Sequence, residues 1–167
     1  MNHLATSKED ILAASRDLIK ENGWAAVSIR AVASRCSVSA GTIYNYYESK
    51  ADLLSDTIES IWHEIFFHPE AEQVFHDVES CISWIYERLE YGNSQFPGFF
   101  SLHSFGFMRD EKTSGKKKMM QTWGHILNGL CEVLENDPKV RSDVFDKEFT
   151  EKKFADILFS LILVSMI

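Results

Sequence analysis

Apolar positions recur every three or four residues along most of the chain, and the polar positions between them fall on the opposite face of the same implied helices. Ile11, Leu12, Ala14, Leu18 and Ile19 form the first stripe, which predicts a helix from about Lys8 to Asn22 stopped by Gly23 as a left-handed cap. Ser28 is a good N-cap for a short second helix, about Ile29 to Cys36, with Ile29, Val32 and Ala33 facing inward. A turn at Ser37 and Val38 leads to a second cap, Ser39, and a third helix of about Ala40 to Tyr46. Lys50 opens a longer fourth helix carrying Leu53, Leu54, Ile58, Ile61, Trp62, Ile65 and Phe66, which runs to His68 and Pro69.

Beyond Pro69 the pattern predicts an amphipathic segment of about Glu70 to Tyr91, then a Gly/Asn/Ser/Pro break from Gly92 to Gly98. A phenylalanine-rich stretch (Phe96, Phe99, Phe100, Phe105, Phe107) and a charged turn from Arg109 to Lys118 follow. A long helix of about Lys118 to Glu135 ends before Asp137 and Pro138, which read as the N-cap and first-turn proline of a next helix. The last helix, from about Lys147 onward, becomes apolar around its whole circumference, so it must be buried on all sides, and a subunit interface is the natural place.

Composition narrows this picture. With 45% hydrophobic and 25% charged residues, the 167-residue chain can bury a sizeable core, and the helical spacing makes it all-α. Cys36, Cys81 and Cys131 are odd in number and far apart, with no CxxC or Cys/His pairing, so neither a disulfide framework nor a zinc site is expected. The polar stretch Met1 to Asp10 lacks a signal core, and the apolar run Ile157 to Ile167 is far short of the ~20 residues that span a bilayer. A cytoplasmic location without membrane contact is expected.

The formal net charge of −8 argues against a nucleic-acid partner until it is divided along the chain. Residues 1–50 carry six basic groups (Lys8, Arg16, Lys20, Arg30, Arg35, Lys50) against five acids (Glu9, Asp10, Asp17, Glu21, Glu48), whereas the remainder carries eleven against twenty. Phosphate attracts the first segment and is repelled by the second, so the head is the candidate nucleic-acid surface.

The decisive stretch is Val27 to Leu54. Two short helices joined by a tight turn are the helix-turn-helix plan, in which the second helix enters the major groove and the first braces it across the backbone. Ala33, Val38 and Ile43 supply the small or branched side chains needed for close packing, leaving Ala40, Gly41, Thr42, Tyr44, Asn45 and Tyr46 outward. This run resembles the N-terminal signature of the TetR family of transcriptional regulators, a framework of the kind (S/T)-h-x-x-h-A-x-x-x-G-V-S-x-G-T-h-Y-x-Y-F-x-x-K-x-x-L with h apolar. The matching positions are Ser28, Ile29, Val32, Ala33, Val38, Ser39, Gly41, Thr42, Ile43, Tyr44, Tyr46, Lys50 and Leu53. Ser37 replaces the turn glycine and Tyr47 the phenylalanine; the first substitution is strained if a left-handed backbone is kept there.

By their chemistry Ser28, Thr42, Tyr44, Tyr46 and Lys50 suit phosphate oxygens, and family members use matching positions in that way. Ser39 lies on the same edge. Arg30, Ala40, Gly41, Thr42 and Asn45 are the better base readers, since Arg forks onto guanine, Asn onto adenine, and glycine admits a thymine methyl. Lys20 and Arg35 offer either DNA-backbone contacts or ordinary solvated charges, and are read as the latter.

The resemblance implies an N-terminal three-helix head (1–50) joined by the fourth helix (about 50–68) to a C-terminal helical bundle (69–167) that dimerises and binds an effector. A homodimer reading an inverted repeat in double-stranded DNA follows, with Phe154, Leu158, Leu161, Ile162 and Ser165 as candidate interface residues. An apolar or aromatic small molecule is expected in the body, and Trp84, Phe99, Phe100, His103, Phe107 and Trp123 are its candidate contacts, although aromatic residues at helical spacing are more often core. No cofactor or metal is expected. Catalysis is not expected either, because the six histidines are scattered and no HExxH, GxSxG or phosphate-binding glycine loop occurs. The rival reading is a helical interaction protein whose head no longer reads an operator.

Overall fold

The computed structural model describes residues 6–66, 75–100 and 114–166, and of residues 114–122 the backbone alone. Among the described residues the protein is all-helical, with no strand. The elements are α1 (Lys8–Asn22), a 3-10 turn (Trp24–Ala26), α2 (Ile29–Arg35), α3 (Ala40–Tyr44), α4 (Lys50–Phe66), α5 (Val78–Gln95), α6 (Ser114–Asn136) and α7 (Glu151–Ser165).

Local chemistry explains the helix ends. Ser7 and Asp10 form a capping box at α1, with Ser7 Oγ accepting from the Asp10 N–H at 3.1 Å and Asp10 Oδ2 accepting from the Ser7 N–H at 2.8 Å. Gly23, at φ 77°, ends α1 where any side chain would be strained, and its N–H donates to the Ile19 carbonyl. Ser28, Ser39, Asp77 and Thr150 cap α2, α3, α5 and α7 by the same side-chain-to-backbone bond.

α4 is the central element. It packs against α1 on one side and against α5 and α6 on the other, so it is buried on most of its circumference, from Leu53 to Phe66. Two ion-pair clusters fix α1 to it: Lys8 Nζ lies 2.6 Å from Asp56 Oδ2, and Glu64 takes both Lys20 at 2.7 Å and Arg16 at 3.2 Å. At its far end Arg88 Nε of α5 donates to the Ile65 carbonyl at 2.6 Å, satisfying an orphan acceptor of the last turn. Buried apolar residues form one continuous cluster from Ile11 in the head to Leu163 in α7.

Two expectations about the body are corrected. Gly92 does not break the chain; α5 runs through it to Gln95. A Cβ at Gly92 would lie 2.5 Å from Ile65 Cδ1, so the glycine serves the close approach of α5 to α4. Asp137 and Pro138 do not begin a helix, and residues 137–149 are turns. Asp137 is buried and instead accepts from the Val78 N–H at 2.9 Å and the Lys139 N–H at 2.8 Å, joining the end of α6 to the start of α5.

The neighbouring Asp77 carboxyl lies well below its ordinary value, at about 2. The Ser80 hydroxyl, then the Ser80 N–H, then the Lys139 ammonium hold the anion. A depressed carboxylate stabilises the fold above its unfolded value of 3.8, and that contribution is lost as pH falls toward 2. Asp77→Ala should therefore lower Tm at neutral pH, with the gap to the wild type closing over that acidic window. A gap unchanged at low pH would show that the charge plays no part.

Candidate nucleic-acid interface

α2 ends in a tight reversal whose hydrogen bonds are those of a Schellman motif: the Ser37 N–H donates to the Ser34 carbonyl at 3.1 Å and the Val38 N–H to the Ala33 carbonyl at 2.9 Å. Val38 packs back toward the helix it has just left, and Ile43 of α3 is fully buried with Val32 and Ala33. This fixes the angle between α2 and α3. The turn needs a left-handed residue, and Ser37 occupies it at φ 56°. That conformation costs an L-residue roughly 1–2 kcal/mol, part of which glycine returns through its freer unfolded state. Ser37→Gly is expected to raise stability by about 0.5–1 kcal/mol, read as a higher urea midpoint. A lower midpoint would mean that the Ser37 side chain contributes more than its strain costs.

The packing leaves one face of α3 outward. Gly41, Tyr44 and Asn45 are exposed, Tyr44 by 54%, while Ala40 and Thr42 are half-buried beside them. Asn45 closes the helix in ordinary right-handed geometry. Arg30, on the first turn of α2, and Lys50, at the start of α4, are exposed on either side in sequence. Ser28 and Ser39 accept helix N–H groups at 3.1 Å, and the Ser39 and Thr42 hydroxyls share a bond of 3.0 Å.

Tyr46 departs from its expected role. Its hydroxyl donates to the Thr6 carbonyl at 2.6 Å, so its proton is spent on anchoring the chain before α1 and is not available to phosphate. Tyr47 is buried, as expected of a core ring, but its hydroxyl has no hydrogen-bond partner. Burial pushes its pKa up. Lys20 and Arg35 are not plain solvated charges: Lys20 pairs with Glu64, and Arg35 forms a forked pair with Glu21. Lys8 and Arg16 are paired as well. Among the described residues, Arg30 and Lys50 are thus the cations of the head not held in an internal ion pair.

The body's aromatic candidates converge on α4. Phe99, Phe100 and Trp123 surround Trp62 at ring-centroid distances of 5.6, 5.7 and 5.8 Å, and Trp84 stacks edge-on to Phe66 at 5.7 Å. Trp62 itself was legible only as part of an apolar stripe. His103 and Phe107 lie outside the described residues. Trp24 of the 3-10 turn contacts Phe99 at 6.2 Å, and Lys20 sits 4.9 Å over the Phe96 ring, so the head touches this cluster at two further points.

Of the expected interface residues, Ile162 is buried in the chain's own core. Phe154 packs on Phe145 and Phe149, Leu158 is half-buried, and the exposed Ser165 bonds to the Ile162 carbonyl and Tyr86. α7 is not enclosed on all sides. Ile157, Leu161 and Val164, spaced four and three residues apart on one helix face, are exposed by 50%, 62% and 67%. No helix among the described residues is long and apolar enough to cross a membrane, and no group of three or more His, Cys, Asp or Glu there could hold a metal.

Residues 11–57 match the family described as bacterial regulatory proteins, tetR family. Over 48 residues the chain is 38% identical to the HTH-type transcriptional regulator UidR of Escherichia coli K12, and equally to that of Shigella flexneri. The alignment spans 29% of this chain and 24% of the length of those relatives. The whole fold is similar to the transcriptional regulator FadR from Bacillus subtilis, solved with stearoyl-CoA, at a TM-score of 0.64 and 19% identity over 96% of this chain and 85% of that one. It is also similar to the fatty acid degradation regulator FadR from Bacillus halodurans, at 0.57 and 19% over 95% and 80%. The expected signature, the Schellman-turned helix pair and these matches fall on the same residues, so residues 11–57 form a helix-turn-helix domain of the tetR family of bacterial regulatory proteins.

Proposed function

We propose that this chain is a ligand-responsive transcriptional repressor of the cytoplasm, binding an inverted-repeat operator as a homodimer and releasing it when an apolar effector enters the helical body. Residues 1–50 form the reading head, α4 connects it, and residues 69–167 bind the effector and the second subunit. The observation that carries the reading is the outward face of α3. Among the described residues a Cβ on Gly41 would meet only Ser39 Oγ, at an ordinary 3.5 Å, so none of them requires a glycine that costs a helix about 1 kcal/mol. Close approach by an outside surface does require it, and Tyr44 and Asn45 stand beside it where a major groove would lie.

The exposed Ile157, Leu161 and Val164 supply an apolar patch for a two-fold mate. The aromatic cluster around Trp62 supplies the body with an apolar environment in direct contact with the connecting helix. Stearoyl-CoA in the Bacillus subtilis FadR structure favours a long acyl group as the effector class.

Selection of bound sequences from random duplex DNA at near-physiological salt tests the reading, with Tyr44→Ala and Asn45→Ala alongside the wild type. An inverted repeat that these variants lose or relax supports it. Salt-sensitive binding without a consensus would favour an interaction protein that reads no operator. Because Lys50 is one of two uncommitted head cations, Lys50→Ala should also flatten the dependence of log Kobs on log salt by about 0.9 per phosphate contact, hence about 2 for a dimer. A flattening of only about 1 would indicate one head per complex, and none would remove Lys50 from the interface.

A further inference from the structure

We propose that Trp62 and Trp123 form a two-donor recognition point for a neutral carbonyl on an apolar effector, an inference that rests on the ligand-responsive reading above. Trp62 of α4 is fully buried, and its Nε1–H has no acceptor; the Nε1–H of Trp123 on α6 is likewise buried without one. An indole nitrogen can only donate, and buried donors in native proteins nearly always find a partner. Here two unmet donors belong to rings in edge contact, 5.8 Å apart. Phe66, Phe99 and Phe100 pack around Trp62, and Phe159 lies against Trp123 at 5.6 Å, so among the described residues the ring contacts of the two indoles offer neither a carbonyl nor a counter-charge.

The chemistry of the missing acceptor follows from that enclosure. A carboxylate would be buried against aromatic rings without a cation, at a high desolvation cost. A cation would meet two positive N–H edges. An ester, thioester, amide or ketone oxygen on a hydrocarbon body meets both donors without carrying a charge inside. Such a group placed between the two indoles separates α4 from α6, and the N–H bonds it makes are absent from the closed arrangement. The ligand therefore prefers the separated arrangement, which is the differential affinity that a shift of the head through α4 requires.

The test uses the full chain labelled with 15N-tryptophan and four probes: methyl decanoate, undecane, decanoate and decyltrimethylammonium. Methyl decanoate is expected to bind about tenfold more tightly than undecane, the difference expected of a buried hydrogen bond. It should move the indole N–H signals of Trp62 and Trp123 downfield and leave those of Trp24 and Trp84 nearly in place. Trp123→Phe, which keeps a ring and deletes one donor, should abolish most of that preference without lowering the urea midpoint. Equal binding of ester and alkane, tighter binding of either ion, or unmoved Trp62 and Trp123 signals would each overturn the proposal. The operator selection is independent of it. Selective DNA binding with unmoved indoles sinks this inference alone, whereas moved indoles without selective DNA binding leave the carbonyl site standing and sink the repressor reading.

Discussion

Trp62→Ala should lower the stability of the protein by about 3–5 kcal/mol, the range for truncating a buried Trp or Phe. The residue is fully buried and lies within 6 Å, centroid to centroid, of Phe66, Phe99, Phe100 and Trp123, which come from α4 itself, the segment after α5, and α6. Removing the indole therefore opens a cavity where the connecting helix meets α6 and the segment after α5, and each lost edge-on ring contact adds about 0.5–1.5 kcal/mol to the area term. A domain of this size has only about 5–15 kcal/mol in hand, so the variant should be partly unfolded at growth temperature. Urea denaturation at matched protomer concentration measures the effect as a fall in midpoint with little change in slope. A loss under about 1 kcal/mol would show that the rings are loosely packed, and would remove α4 as a rigid link between effector and head. Trp62→Phe separates ring from donor, because it keeps most of the packing and deletes an N–H that the folded protein leaves unmet.

The contrast between what the sequence makes legible and what it hides follows the separation of the partners along the chain. Ser28 and Ser39 as caps, Ile29, Val32, Ala33 and Ile43 as core, and Ser37 as the strained turn residue all depend on neighbours within about ten positions, and the structure places them as expected. Gly92 was misread because its reason is Ile65, on another helix; by local rules a glycine beside Asn and Ser is a break. Asp137 was misread in the same way, since besides the Lys139 N–H of the turn that follows it takes the N–H of Val78, on α5. Tyr46 and Lys20 have the right chemistry for phosphate, yet Thr6 and Glu64 reach them first. Periodicity also shows that α7 is apolar without showing which of its faces the chain covers by itself. Ile162 is taken by the core and Leu161 is left outside.

Tyr44→Ala should weaken operator binding by at least about 30-fold while leaving stability within about 0.5 kcal/mol of the wild type, because the two properties draw on different faces of the same residue. More than half exposed on the outward side of α3, Tyr44 contributes little to the fold that the change could remove. Its backbone stays helical through the Ser39 cap and the buried Ile43, neither of which touches the substitution. On DNA, a phenol hydroxyl to phosphate with its ring against the sugar is worth about 1–2 kcal/mol. In the proposed homodimer that loss is counted twice, giving about 2–4 kcal/mol and hence the fold-change stated. Tyr44→Phe isolates the hydroxyl and should recover roughly half of the loss on a logarithmic scale. Fluorescence anisotropy on the selected inverted repeat, with the half-site alone as comparison, gives both numbers. A loss that is the same on the half-site as on the full repeat would mean that one head acts alone, and no loss at all would take α3 out of the groove.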